Sequence, residues 1–237
     1  MKIVISQPMY FPWIGLLEQV RLADIFVFYD DVQFVKGSFF NRVQVPTPWG
    51  IRWMTVLLKG VRLGQKINEV KVDNGRPWKR QHCELLKQAY RKAPFFNDMM
   101  GIVEDVFSVD SDLLVDFSMA STMSLVKYFD LDCGRKFLHS SSLDISGKGS
   151  ERVLEIVVSL GGSVYITGHG AKNYLNHNLF EKRGIEVLYM DYACKEYPQL
   201  HGPFTPFVSA LDLVANCGKE GRNMFISQTV NWRRFMS

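Results

Sequence analysis

Cysteine is scarce in this chain, and the four present, Cys83, Cys133, Cys194 and Cys217, show no C-x-x-C spacing and no disulfide framework. That pattern fits free thiols in a reducing compartment. The five histidines lack ligand spacing such as H-x-x-x-H, so no metal is expected. No apolar stretch approaches the roughly 20 residues needed to span a bilayer. The start also lacks the basic region, apolar region and small-residue cleavage site of a signal peptide, which argues against membrane insertion and for a cytoplasmic location. Strong charge is missing too: the formal net charge is +4, with lysines and arginines scattered and densest at Arg76 to Arg80 and at Arg233-Arg234. Such a balance predicts no nucleic-acid partner and remains compatible with an anionic small molecule. Nothing in these patterns names a cofactor or an oligomeric state.

What is present is a chain of 237 residues, 47% hydrophobic and 22% charged, long enough for one elaborated globular domain. Its most informative segment is Gln7-Pro8-Met9-Tyr10-Phe11-Pro12-Trp13-Ile14-Gly15. An ordinary strand-to-helix connection needs only a cap and a turn residue, whereas this one concentrates an amide, two prolines, three aromatics and a glycine. That reads as a binding loop, although the same aromatics and prolines also suit a rigid core plug. Before it, Met1 to Ser6 reads as a buried strand. After it, apolar residues at Ile14, Leu16, Leu17, Val20 and Ala23 follow helical spacing, and a second apolar run, Ile25 to Tyr29, ends in Asp30-Asp31. The unit predicts two parallel strands joined by a right-handed crossover. Gln7, Asp30 and Asp31 then share the carboxyl ends of the strands, where such sheets bind ligands, and the helix start between them offers free N–H groups to an anion.

From Gln33 to Lys59 the residues alternate and are rich in aromatic and β-branched types. Pro46-Thr47-Pro48-Trp49-Gly50 in the middle predicts a hairpin, and Ile67 to Val72 a further short strand. Gln33, Lys36, Asn41 and Arg42 recur on this β insertion (33–75) and suit a polar, anionic ligand, though a wet hairpin face carries such residues for solubility alone. The middle (77–130) reads as helical scaffold, with helices over Pro77 to Lys92, Asn97 to Phe107 and Leu113 to Phe129. His82 and Cys83 are adjacent there and point in different directions, so they do not form a nucleophilic pair.

The last third returns to an α/β rhythm, so that 1–32 and 140–217 form the α/β core of a single domain spanning 1–237. Ser146-Gly147-Lys148-Gly149 opens a helix through Arg152 to about Leu160; its turn can hold a phosphate or carboxylate but is not a P-loop. Ser163 to Thr167 reads as a strand ending in Gly168-His169-Gly170, where the glycines let backbone approach a ligand and leave His169 free for acid–base work. An ordinary turn with an incidental histidine gives the same letters. Glu186 to Met190 makes another strand, Tyr197-Pro198-Gln199 a loop, and Phe207 to Cys217 a helix with Ser209 and Asp212 one turn apart. The fold class expected is α/β: a Rossmann-like, three-layer, mostly parallel sheet with a β-hairpin insertion and a helical middle region.

With these residues in view the chain resembles the WbqC-like family. The resemblance runs through Gln7 to Gly15, Asp30-Asp31-Val32-Gln33-Phe34, Asn41-Arg42, Trp53-Met54-Thr55-Val56, the Gly147 to Arg152 helix entrance, Tyr165-Ile166-Thr167-Gly168 with Asn173-Tyr174-Leu175, and Tyr197-Pro198-Gln199 with Ser209 to Leu213. Genes of that family are typically found among those for bacterial O-antigen and other surface polysaccharides. The resemblance implies a cytoplasmic bacterial protein that helps build a modified sugar by transferring an acyl or aminoacyl group. The first unit alone is also similar to the H-x-G-H nucleotidyltransferases and ligases, but Trp13 and Leu16 replace both histidines, which stabilise charge on a transferring phosphate.

Two functional classes follow. One is a transferase acting on an amino sugar or its nucleotide-linked form. His169, Asp30 or Asp31 would be the general base, backbone N–H groups near Gly168 the oxyanion donors, and Gln7, Tyr10, Trp13, Gln33, Lys36, Asn41, Arg42, Lys148, Arg152, Asn173, Gln199, Ser209 and Asp212 the substrate contacts. The other is a non-catalytic protein that binds a sugar nucleotide or a biosynthetic partner. Cys194 as an acyl-carrying nucleophile is a further possibility whose base would have to come from elsewhere in the fold.

Overall fold

Apolar side chains fill every position of Ile3-Val4-Ile5 and Ile25-Phe26-Val27-Phe28, and all seven are buried. Both faces of such strands need cover, which calls for helices on each side of the sheet. The computed structural model, which describes residues 1–237, shows that arrangement. The chain runs through β1 (Lys2–Ser6), α1 (Ile14–Leu22), β2 (Ile25–Phe28), the hairpin β3 (Arg42–Thr47) and β4 (Gly50–Thr55), and the short pair β5 (Leu58–Lys59) and β6 (Lys71–Val72). Helices α2 (Trp78–Tyr90), α3 (Phe96–Phe107) and α4 (Leu114–Tyr128) follow. The second half is β7 (Lys136–His139), α5 (Gly149–Ser159), β8 (Val164–Thr167), α6 (His177–Lys182), β9 (Glu186–Asp191), α7 (Ala210–Cys217), β10 (Gln228–Asn231) and α8 (Trp232–Met236).

The main sheet has the order β10-β9-β8-β1-β2-β7, parallel throughout except for β10, which is antiparallel to β9. Counted in chain order, these strands follow the 3-2-1-4-5-6 sequence of a doubly wound fold, with the direction of winding reversing between β1 and β8. Alternation along each strand sorts the core. Val4, Phe26, Phe28 and Ile166 face α1, the helical middle and the hairpin in a cluster of 44 buried residues. Ile3, Ile5, Val27, Tyr165 and Val187 face α5 and α6 in a cluster of 15.

The binding-loop and core-plug readings of Gln7 to Gly15 divide along the segment. Phe11 takes a left-handed φ of 41°. Its N–H donates to Ser121 Oγ on α4 and its carbonyl oxygen accepts from Ser209 Oγ, both at 2.9 Å. Tyr10 and Phe11 are fully buried as core, while Gln7 and Trp13 reach the surface on either side.

Three expectations are corrected in detail. Ile67 to Val72 is not one strand: Ile67–Glu69 forms a single 3-10 turn that buries Ile67, and only Lys71–Val72 pairs, with β5. The helix expected from Phe207 starts at Ala210, because Ser209 caps it by accepting from Leu211 N at 3.2 Å. The sheet also takes in β7 and β10, outside the 140–217 core segment, and both are short edge strands with no fully apolar run. The approach to β10 is tied down by a buried carboxylate: Glu18 accepts from Ser227 N at 2.7 Å and Ser227 Oγ at 2.6 Å while paired with Arg21.

Candidate functional site

A cavity of about 700 Å³ opens at the carboxyl ends of β1, β2 and β8, at the reversal of winding. Each strand delivers its last residues to it: Ser6 and Gln7 from β1, Tyr29 and Asp31 from β2, Thr167 and Gly168 from β8. The Gly147-Lys148-Gly149 turn and Arg152 at the start of α5 form the opposite wall, because Gly147 and Gly149 adopt φ of 110° and 60°, which bend the chain over the strand ends. Gln19, Gln33, Lys66 and Tyr174 complete the polar lining.

The carboxylates at the end of β2 are held differently. Asp30 is buried and used up by structure: its Oδ1 accepts from Ser141 N at 3.0 Å and its Oδ2 from Ser141 Oγ at 2.7 Å. Asp31 faces the cavity and is paired with Arg152. Ser140 Oγ lies within hydrogen-bonding reach of both carboxylates but has one hydrogen to give. Burial alone would raise the pKa of Asp31, but hydrogen bonds from Arg152 and Ser140 outweigh it and hold the carboxyl below its usual range. Arg152 is spent in the same network, donating from Nε to Ile145 O at 2.8 Å and lying 5.1 Å from the centre of the Tyr29 ring. Burial pushes the Tyr29 and Tyr174 phenols up, so both stay protonated donors at neutral pH. The exposed ammonium groups of Lys66 and Lys148 make no ion pair or hydrogen bond, which leaves two cations at the cavity for an anionic ligand.

The structure gathers Gln7, Asp31, Gln33, Lys148, Arg152 and Gly168 into this cavity. It takes others away. His169 does not line it: its Nε2 lies 2.8 Å from Met190 O and its ring packs 4.9 Å from Phe235, on the far side of the Gly168 turn. A base there does not reach the polar cavity. His169 shares instead a smaller chamber with Trp13. Tyr10 is core, hydrogen-bonded to His82 at 2.9 Å. Lys36, Asn41 and Arg42 line a separate depression on the insertion, where Asn41 donates to Val56 O and Arg42 donates to Gly37 O while lying 4.2 Å from the Trp53 ring centre. Asn173 lies in the exposed turn after β8 and does not line the cavity. Gln199, Ser209 and Asp212 serve the packing of α7: Asp212 is fully buried and accepts from Tyr90 Oη and Gln199 Nε2, each at 2.9 Å.

Residues passed over by the sequence reading include Tyr29, Lys66, Gln19 and Ser140. Tyr29 was signalled by its place at the strand end beside Asp30-Asp31. Lys66 reaches the site only through an isolated bridge to Gln33, and Ser140 only through the pairing of β7 with β2. Neither leaves a local pattern.

The family's sequence model matches residues 7–224, from the loop after β1 to the turn after α7. The chain belongs to the WbqC-like protein family. It is similar to the uncharacterized protein Rv1507c of Mycobacterium tuberculosis (strain ATCC 25618 / H37Rv), with 28% identity over 222 residues, 92% of this chain and 95% of that one. No solved structure matches it. No helix is long and apolar enough to cross a membrane.

Proposed function

We propose that this WbqC-like protein is a transferase that moves an acyl or aminoacyl group onto the amine of a nucleotide-linked amino sugar, in the cytoplasm, for bacterial surface polysaccharide such as O-antigen. The observation that carries this reading is the pairing, in one cavity, of two uncommitted lysines with a carboxylate held ionised. Lys66 and Lys148 suit phosphate, and Asp31, with lone pairs left after Arg152 and Ser140, suits an ammonium. In the reaction the ammonium first gives up a proton to become the free amine, whose nitrogen bonds the acyl carbon and sheds a second proton as the bond from that carbon to its activating group breaks. A carboxyl with a lowered pKa is a weak base, so Asp31 orients the ammonium, the first proton leaves to solvent and the second to solvent or to the departing group.

A non-catalytic sugar-nucleotide binder is the second reading, favoured by the fact that Asp30 is enclosed by serines and His169 faces away. A nucleotidyltransferase-like reading loses ground, since Leu16 is buried in the core and Trp13 lies in the apolar chamber, where neither can meet a phosphate charge. The test is to incubate the protein with a UDP-linked amino sugar and activated acyl donors and to follow the sugar by mass. A mass gain of one acyl group, lost in Asp31→Asn, is the expected result. Tight binding of the sugar nucleotide without any mass gain would turn the assignment to the binder.

A further inference from the structure

A second chamber of about 400 Å³ lies against the polar cavity, lined by Trp13, Met190, Tyr192, Cys194 and Phe207. The two share Gln19, Gly168 and Gly170, so the turn after β8 is a common wall. Their chemistry differs: the first carries the lysines and Asp31, whereas the second is walled by aromatic rings, Trp13 standing edge-on to Tyr192 at 5.5 Å and to Phe207 at 5.3 Å. The polar groups of the chamber are uncharged or committed. His169 Nε2 is engaged by the Met190 carbonyl oxygen, and the Tyr192 hydroxyl, shielded from solvent, hydrogen-bonds to nothing.

We infer that the chamber binds the apolar acyl chain of a donor whose phosphate lies in the polar cavity, which makes the donor an acyl phosphate or acyl nucleotide. The inference rests on the transferase reading and narrows its donor. Adjacency supports it: a shared wall leaves little room for a long spacer between anion and chain. Gly168 and Gly170 line both spaces together with Gln19, whose amide nitrogen would lie 2.9 Å from a Cβ at Gly168, so the junction is bounded by glycine backbone and one uncharged amide side chain.

Stable n-alkyl phosphates of two, four and six carbons, with inorganic pyrophosphate as the chainless probe, test this by titration calorimetry. Each pair of added methylenes should tighten binding about fifteenfold in the wild-type protein, from about 0.8 kcal/mol per buried methylene. Cys194→Phe, which fills the chamber, should abolish that gain and leave pyrophosphate binding unchanged. Phe207→Ala, which opens its exposed edge, should reduce it. Affinity independent of chain length, with pyrophosphate still bound, overturns the chamber assignment and spares the polar cavity. A gain that persists in both variants also overturns it, because the chain must then lie elsewhere. If neither pyrophosphate nor any alkyl phosphate binds, the anionic-ligand reading of the cavity fails and this inference falls with it.

Discussion

Arg152, in the first turn of α5, reaches across to Asp31 beyond the end of β2 and so ties the two elements together at the switch point of the sheet. Both side chains are largely shielded, with 7% and 14% of their surface exposed. Truncating one member of a shielded pair leaves the other charge uncompensated. Arg152→Met should therefore cost about 2 kcal/mol at pH 7 in urea denaturation, below the range for fully buried pairs because some solvent screening remains. The folded pKa of Asp31 lies below its unfolded value, so its contribution is present above about pH 4 and is lost as pH falls through the folded value. The difference between wild type and variant should shrink below pH 4; a constant difference down to pH 2 would mean that Arg152 acts through packing alone.

His82 carries a pH dependence of the same sign in a higher window. Burial lowers its pKa to about 4, with the ring set between Tyr10 Oη at 2.9 Å and Thr55 O at 3.0 Å. Between about pH 6.5 and 4 the unfolded chain binds a proton that the folded one does not, so stability falls as pH falls through that window. The loss should approach about 3 kcal/mol, from roughly 1.4 kcal/mol per pH unit. His82→Gln should remove that slope in a series of denaturant titrations from pH 7 to pH 4.

The parts of this molecule that were readable in sequence are those where the physics is local. The β1-α1-β2 unit, the three middle helices and the strand before Gly168 each carry a period of their own. The resulting doubly wound sheet places Gln7, Asp31, Lys148, Arg152 and Gly168 at one cavity, as the strand-end argument requires. What the sequence hid are side chains whose orientation is set by distant partners. His169 looked free between two glycines, yet Met190 O on the neighbouring strand turns its ring away from the cavity. Asp212 and Ser209, one helical turn apart, suited substrate contacts, but the aromatic layer of Tyr90 and Tyr197 encloses Asp212, and Ser209 is spent capping α7. Glu18 likewise sits on the buried side of α1, because Ser227, over two hundred residues away, supplies its donors.

Asp212 gives a prediction about the loop between β9 and α7. Burial raises its pKa, against the pull of hydrogen bonds from Tyr197, Tyr90 and Gln199. Gln199 in turn accepts from Thr205 N at 2.7 Å, so the carboxylate holds the loop through one amide side chain. Asp212→Ala strands buried hydroxyl and amide donors and should destabilise the protein by about 3 kcal/mol. Hydrogen exchange should rise over residues 192–208 beyond the global change. Uniform exchange across the chain would show that Asp212 supports the fold without anchoring that loop.

The last prediction concerns Gly15 and the shape of the apolar chamber. The Trp13 indole folds back over the first turn of α1, and a Cβ added at Gly15 would meet ring atoms at 2.0 Å and 2.2 Å. Glycine at this position is thus required by the indole and not by its own backbone, which is ordinary helix. In Gly15→Ala either the indole moves out of the chamber or the helix start shifts, and overpacking of this kind costs about 1–3 kcal/mol. Trp13→Ala removes the obstruction, so adding Gly15→Ala to that variant should cost almost nothing and even gain a little from the better helix former. A double-mutant cycle by chemical denaturation measures the coupling directly. Coupling near zero would place the Trp13 ring away from Gly15, and with it would go the aromatic wall that gives the chamber its apolar character.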